Sequence, residues 1–485
     1  SKSKMTIQEL NPKSVWQNFH ALTRVPRPSG HLEKVQQFLL QWAAERGIEA
    51  WKDGGENIVM RVPATPGMED RPTAVMQAHM DMVPQKGPGS AHDFVNDPIE
   101  TRVEGDWLYA TNTTLGADDG IGVAIILATL EAKDLPHGPL EALITSDEET
   151  CMYGVNHLDA DTLTGKILLN IDNEQMGQFV IGSAGGINIT ATMEYKAAEA
   201  EAGDVALKVT VTGLLGGHSG LEIGLARGNA NKLMARLVQA AIAQDEARLA
   251  QWNGGNMRNA IPREAEVIIT VPAENEEDVR ELCTYCQGVF AEELRGIDDG
   301  LQILVECVEA PAALVPEDIQ DNLVNAILAC HDGVLRYIPS IPGVVETSSN
   351  LAIVAITPEA AKVLILARSS NDNHFEYEKT MIESCFSMVG MKVEYSGAYG
   401  SWQPRFGSPI VDKMSKIYKE MFGEDADVNV CHAGLECSLI GAVYPEMDMV
   451  SMGPTIESPH TPNERCLIPT VEQFWRFFRE LIQSL

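Results

Sequence analysis

At 485 residues the chain is too long for one compact core, and a scale of about 100–200 residues per domain implies two to four domains or subdomains. Its 45% apolar and 22% charged content is that of a soluble globular protein. A formal net charge of −33 argues against nucleic acid or an anionic membrane surface as a partner.

Residues 14–51 carry a helical apolar pattern that includes Val35, Phe38, Leu39 and Trp42. Residues 58–62 and 73–78 then read as strands, 120–131 as an apolar helix after a glycine-rich turn, and 140–145 and 167–171 as short buried strands. This alternation predicts an α/β sheet. The texture changes at Gly182-Ser-Ala-Gly-Gly186. Strands are expected over 187–193, 205–211, 265–271, 303–308, 344–356 and 361–368, with helices over 226–249, 276–294 and 374–389. Beyond 397–404 a helix at 408–421, strands at 428–431 and 447–451 and a terminal helix from Val471 return to the first texture. The expected organisation is a catalytic domain split into 1–186 and 397–485, with 187–396 inserted as a second, α+β domain.

Nine scattered cysteines read as reduced thiols, which places the chain in the cytoplasm. Cys283-x-x-Cys286 falls inside a helical pattern and reads as one helix face rather than a redox or zinc site. No apolar run reaches the ~18 residues that span a bilayer. Residues 1–5 are polar and lack the apolar segment of a signal peptide.

Acidic residues and histidines recur where strands end. Gln77-Ala-His79-Met-Asp81 closes one strand, at the carboxyl edge where open α/β sheets place ligands. His79 is a good zinc ligand, and Asp81 can hold its second nitrogen. Taken alone, the pair fits a structural polar contact equally well. Asp118-Asp119 precedes the apolar helix: a cation would relieve the cost of burying both, and helix capping is the ordinary alternative. Asp147-Glu148-Glu149 follows a third strand. One glutamate there can hold a metal while its neighbour moves a proton, although a solvated acidic loop would look the same. Asp172 follows a fourth strand, and His460 stands in a proline-rich loop, where a lone histidine is usually a surface residue. Together they make two incomplete coordination sets. Asp118, Glu149 and Asp172 against two Zn²⁺ leave one positive charge, which a bridging hydroxide would cancel.

The stretches HMD, TTLGADDG, SDEE, NIDNE, GLLGGHSG, NAIPRE, CHAGLEC, YPEMDMVSMGPT and SPHTPNE run over the whole chain. In them the sequence resembles the M20 family of metallopeptidases, and within it the bacterial aminoacyl-histidine dipeptidases of the peptidase D, carnosinase type. The resemblance implies a zinc-peptidase-like catalytic domain, with a mixed central sheet flanked by helices, and an α+β lid. It implies two Zn²⁺ per subunit, replaceable by Co²⁺ or Mn²⁺. Asp118 would bridge them, with His79 and Asp172 on one ion and Glu149 and His460 on the other. Glu148 would be general base and then general acid as a metal-bridging hydroxide attacks, Asp81 would orient His79, and the Asp118–Asp119 peptide would be cis. His218 would hold the substrate carbonyl oxygen, Asn259 would be a further lid contact, Arg368 would grip the substrate carboxylate, and Glu436 is a candidate for the substrate amine. Ordinary readings remain beside these: loop geometry for His218, a strand-edge ion pair for Arg368, a helix-start acid for Glu436. The expected substrates are unblocked dipeptides, including Xaa-His, and the expected assembly is a homodimer through the lid. An N-acyl amino acid deacylase or a tripeptidase would share the same metal core. A non-catalytic binding protein would be expected to have lost the base or the ligands, and all are present.

Overall fold

A computed structural model describes residues 5–485, so the reading of residues 1–4 lies outside the described residues. The chain forms two compact units. The first comprises the described residues up to 182, with 404–429 and 435–485, and the second 183–403 and 430–434. The division thus falls a few residues outside 187 and 396, because strand Gly185–Glu194 pairs along its whole length within the second unit's sheet. A short return at 430–434 is added.

The first unit is built on an eight-stranded mixed sheet. Its order is Glu49–Lys52, Ile58–Val62, Leu140–Thr145, Ala74–His79, Ile167–Asn170, Asp448–Ser451, Gln178–Ser183 and Asp427–Cys431. Ala74–His79 runs parallel to both of its neighbours, and Asp448–Ser451 runs parallel to Ile167–Asn170. Ala74–His79 and Leu140–Thr145 are buried at every position, which is why they read as mostly apolar runs instead of alternating ones. Helix Ala117–Glu131 is buried at all but its last residue, so it is apolar on every side. Helix Ile468–Ser484 has a single apolar face that buries Val471, Phe474, Phe478, Leu481 and Ile482. Truncating Phe478 to Ala would cost about 3–5 kcal/mol. A smaller antiparallel sheet of Thr101–Glu104, Trp107–Ala110, Arg465–Leu467 and Ile456–Glu457 carries the loop that contains His460.

The expected continuous helical stretch over 14–51 is two helices and a strand: Lys13–Thr23, Glu33–Glu45 and Glu49–Lys52. Pro26, Pro28 and Gly30, the last at φ 87°, break it, since proline lacks the N–H that a helix needs.

The second unit is an antiparallel sheet ordered Gln302–Val308, Val205–Thr212, Ala265–Val271, Arg248–Gly254, Val345–Ile356, Ala360–Ser369, Gly185–Glu194 and Lys392–Tyr399, with Gly333–Tyr337 added on Val345–Ile356. Val205–Thr212 alternates, burying Leu207, Val209 and Val211. Helices Ala230–Asp245, Glu276–Glu293, Glu317–Ala329 and Asp372–Ser387 complete its separate core, which includes Cys283 and Cys286. The helix expected at 226–249 starts later, at Ala230, because the Asn229 side chain caps it by accepting from the N–H groups of Asn231 and Lys232. It ends at Asp245, and Arg248–Gly254 is a strand.

Candidate metal centre

Parallel strands end at one edge of the first unit's sheet, and register places His79 beside Thr145 and Gln77 beside Asn170. The segments leaving those strands therefore carry Glu148, Glu149 and Asp172 to the same place as His79. Asp118 arrives at the start of helix Ala117–Glu131, where its backbone and that of Asp119 are not helical and the peptide between them is cis. His460 arrives from the loop between Ile456–Glu457 and Arg465–Leu467, in the left-handed region at φ 65°.

Asp118 stands between two imidazoles. Its Oδ1 is 3.0 Å from His79 Nε2 and its Oδ2 is 3.0 Å from His460 Nε2. Asp172 Oδ1 lies 3.4 Å from His79 Nε2, and Glu149 Oε1 lies 2.9 Å from His460 Nε2. Glu148 Oε2 is 3.6 Å from His79 Nε2. His79 Nδ1 faces Asp81, 3.0 Å from its carbonyl oxygen and 3.2 Å from Oδ1, which leaves Nε2 for a ligand. Asp81 also accepts from the Ser29 hydroxyl and from the N–H groups of Glu148 and Glu149.

These groups carry the charge pattern of a cation site. Burial raises the Glu148 and Asp172 carboxyls well above the usual range, against the opposing pull of His79. Burial pushes Asp118 up as well, but its bonds to His460 and His79 outweigh that and hold it far below the usual range. Hydrogen bonds to Asp118 and Glu149 raise His460 to about 10. Burial alone would lower His79, yet the charges of Asp172 and Glu148 and the contact with Asp118 lift it well above its ordinary value. Too many carboxylates thus share too few positive charges.

The donor set fits metal ions. Two groups share Asp118: His79, Asp118 and Asp172 in one, Asp118, Glu149 and His460 in the other, with ligand atoms in each within 4.8 Å of one another. Donors around a tetrahedral zinc at ordinary bond lengths stand about 3.3 Å apart. Here neighbouring donors are 2.9 to 3.4 Å apart. A third group, His79 with Glu148 and Glu149, competes for the same His79 nitrogen.

Residues 75–484 match Peptidase family M20/M25/M40. The chain belongs to this family. It is 39% identical over 479 residues to the cytosol non-specific dipeptidase of Escherichia coli (strain K12), covering 99% of each. The crystal structure of aminoacylhistidine dipeptidase from Vibrio alginolyticus matches with a TM-score of 0.93 and 40% identity, over 99% of this chain and 98% of that one. A tripeptidase from Staphylococcus aureus shares the fold at a TM-score of 0.55 and 17% identity, over 98% of both chains.

Glu436 lies inside the first unit of this M20 chain. It is 2% exposed and accepts from Gln77 Nε2 at 2.9 Å, and its Oε2 has no partner among the described residues. Gln77 Oε1 in turn accepts from Asn170, whose Oδ1 accepts from Ser451, so a polar network runs under the strand end that carries His79. Burial raises Glu436 to about 7. Sequence reading missed this network, because Gln77 and Asn170 sit inside buried strands and the stretches that hold them pointed to His79 and Asp172 instead.

His218, Asn259 and Arg368 belong to the second unit. His218 Nδ1 accepts from the N–H groups of Gly220 and Leu221, so the neutral ring carries its proton on Nε2. Burial and then the Arg368 charge lower its pKa, which keeps it neutral. Asn259 is exposed, and its backbone oxygen accepts from Ser219 N–H. Arg368 is 4% exposed and donates to Tyr399 Oη and Ser219 Oγ; no carboxylate pairs with it among the described residues. His432 lies close by, with Nε2 2.7 Å from Ser348 Oγ and Nδ1 without a partner among the described residues. Only its place in the CHAGLEC stretch could have singled it out.

Proposed function

We propose that this M20 peptidase is a dipeptidase of unblocked dipeptides, Xaa-His among them, working with two Zn²⁺ ions. His79, Asp118 and Asp172 would hold one ion, and Asp118, Glu149 and His460 the other. When bound, the ions supply Lewis acidity toward water and the scissile carbonyl. The observation that carries the reading is the placement of two imidazoles on the two oxygens of one buried carboxylate, Asp118.

Glu148 takes the proton of the attacking water on its carboxylate and returns it to the departing amine nitrogen. Its burial raises its proton affinity, which favours taking the proton from water. Asp81 keeps His79 in one tautomer and fixes the backbone of Glu148. His218 donates from Nε2 to the substrate carbonyl oxygen as charge develops there. Arg368, a buried cation that no carboxylate pairs with among the described residues, binds the free carboxylate of a dipeptide. Asn259 and Glu436 contribute further contacts, Glu436 toward the substrate amine.

Chelation followed by return of Zn²⁺, with dipeptides, tripeptides and N-acyl amino acids assayed in parallel, tests the reading. Dipeptide turnover should vanish and recover with the metal. Faster hydrolysis of tripeptides or N-acyl amino acids would replace the substrate assignment, and turnover unaffected by chelation would end the metal assignment.

A further inference from the structure

Glu464 stands four residues beyond His460, in the same loop. Its side chain turns back to the segment that presents Asp118. Oε1 accepts from the N–H groups of Leu115 at 2.9 Å and Gly116 at 3.0 Å, and Oε2 accepts from Asp118 N–H at 3.0 Å. Three backbone donors on one buried carboxylate are charge-assisted bonds, and they fix the turn from its N–H side.

Arg27 holds the carbonyl side. It is 2% exposed, and its guanidinium donates to Gly116 O at 2.6 Å and to Met80 O at 3.1 Å. Met80 follows His79 directly, so Arg27 ties the strand end to the same turn. Two glycines make the room. A Cβ at Gly116, which sits at φ 76°, would lie 2.7 Å from Arg27 Nη2, and one at Gly120 would lie 2.3 Å from it. This accounts for both glycines in Gly116-Ala-Asp-Asp-Gly120. Asp119 closes the assembly by accepting from His79 N–H at 3.1 Å.

The consequence is mechanical. One loop delivers the His460 imidazole, and the carboxylate four residues on locks the backbone of the carboxylate that His460 faces. Their spacing is then set by backbone contacts, independently of the side-chain donors.

We infer that Glu464, with Arg27 opposite it, is a positioning residue that holds Asp118 at the spacing two metal ions require. The inference rests on the dinuclear reading proposed above. Metal-free wild-type protein, Glu464→Gln and Arg27→Lys are titrated with Zn²⁺ against a chromophoric chelator, and metal-free melting temperatures are recorded beside kcat and KM at saturating Zn²⁺. Glu464→Gln is expected to stay folded, to bind Zn²⁺ about 10–100-fold more weakly, and to lose kcat with little change in KM. Arg27→Lys keeps its charge but loses one carbonyl contact, and should shift affinity in the same direction by less. A folded Glu464→Gln with wild-type affinity overturns the inference. If that variant fails to fold, a folded Arg27→Lys with wild-type affinity does so. Loss of fold in both variants would make the clamp a requirement of folding and would equally overturn a metal-positioning role. Wild-type protein that binds no Zn²⁺ would instead sink the dinuclear reading.

Discussion

The backbone N–H of Glu148 donates to Asp81 Oδ1 at 3.1 Å, so the carboxylate that faces His79 Nδ1 also holds the chain of the proposed base. One side chain therefore fixes both a metal-ligand tautomer and the place of the proton carrier. Asp81→Asn keeps the size but puts an amide where two N–H groups and an imidazole need acceptors. Zinc affinity is expected to fall about 10–100-fold and kcat to fall with it. Chelator competition and steady-state kinetics check this. Wild-type values for both would separate Asp81 from the site.

Glu148 should separate the opposite way. Its Oε2 is 3.6 Å from His79 Nε2, and the two ligand groups that share Asp118 are complete without it. Glu148→Ala is expected to retain its zinc while kcat drops about 10²–10⁴-fold. Metal analysis of the purified variant beside its turnover number decides the matter. Near-normal turnover would refute the base assignment.

Metal binding should release protons. Without metal, hydrogen bonds to Asp118 and Glu149 hold His460 at about 10, and His79 is raised as well, so both rings are protonated near neutrality. Ligation requires the neutral ring. Apparent zinc affinity should therefore climb with pH between about pH 6 and pH 8, about tenfold per unit for each proton released. The climb should flatten as the pH nears the pKa of the metal-free ring. Calorimetric titrations in buffers of different ionisation enthalpy count those protons. An affinity independent of pH would contradict the charge balance described here.

Asp332 gives a prediction for stability. It accepts from Leu351 N–H at 2.8 Å and from Asn229 Nδ2 at 3.1 Å, and burial raises its carboxyl from 3.8 to about 6. A raised folded-state value means that the contribution is whole below the unfolded value and is lost as the pH climbs through about 6. Asp332→Asn keeps an acceptor and removes the titration. Relative to wild type, the variant should gain about 2–3 kcal/mol between pH 4 and pH 7. Urea titrations at several pH values measure that difference. A constant difference would leave Asp332 without a role in it.

How much of this could be read from sequence depended on range. His79, Glu149 and Asp172 were legible because each follows a short buried strand whose apolar run is local and whose carboxyl end faces the site. His460 was not legible from its surroundings. The strands beside its loop, Ile456–Glu457 and Arg465–Leu467, are two and three residues long, and Arg465–Leu467 joins Trp107–Ala110 from a distant part of the chain. Only motif resemblance singled it out. Arg27 lay outside every quoted stretch, and Glu464 stood in SPHTPNE without a role. A charged residue reads as surface, and their burial depends on backbone donors, carbonyls and missing Cβ atoms contributed by residues 115–120.

Arg368 offers a test in which the fold and the function pull in opposite directions. The side chain is 4% exposed, its Nε has no partner among the described residues, and its two hydrogen bonds go to neutral hydroxyls. A buried cation without a counter-ion costs stability, so a chain that keeps one for packing alone would gain by losing it. Arg368→Met fills similar space without charge. Its melting temperature is expected to equal or exceed that of wild type, while kcat/KM for free dipeptides falls about 30–1000-fold, the range for losing a buried charge-to-carboxylate contact. Dipeptide C-terminal amides, which lack the carboxylate, should be poor substrates of both proteins to a similar degree. A variant that melts lower and discriminates as before would make Arg368 a structural residue. A variant that melts no lower and no longer distinguishes acid from amide would assign the cation to the substrate.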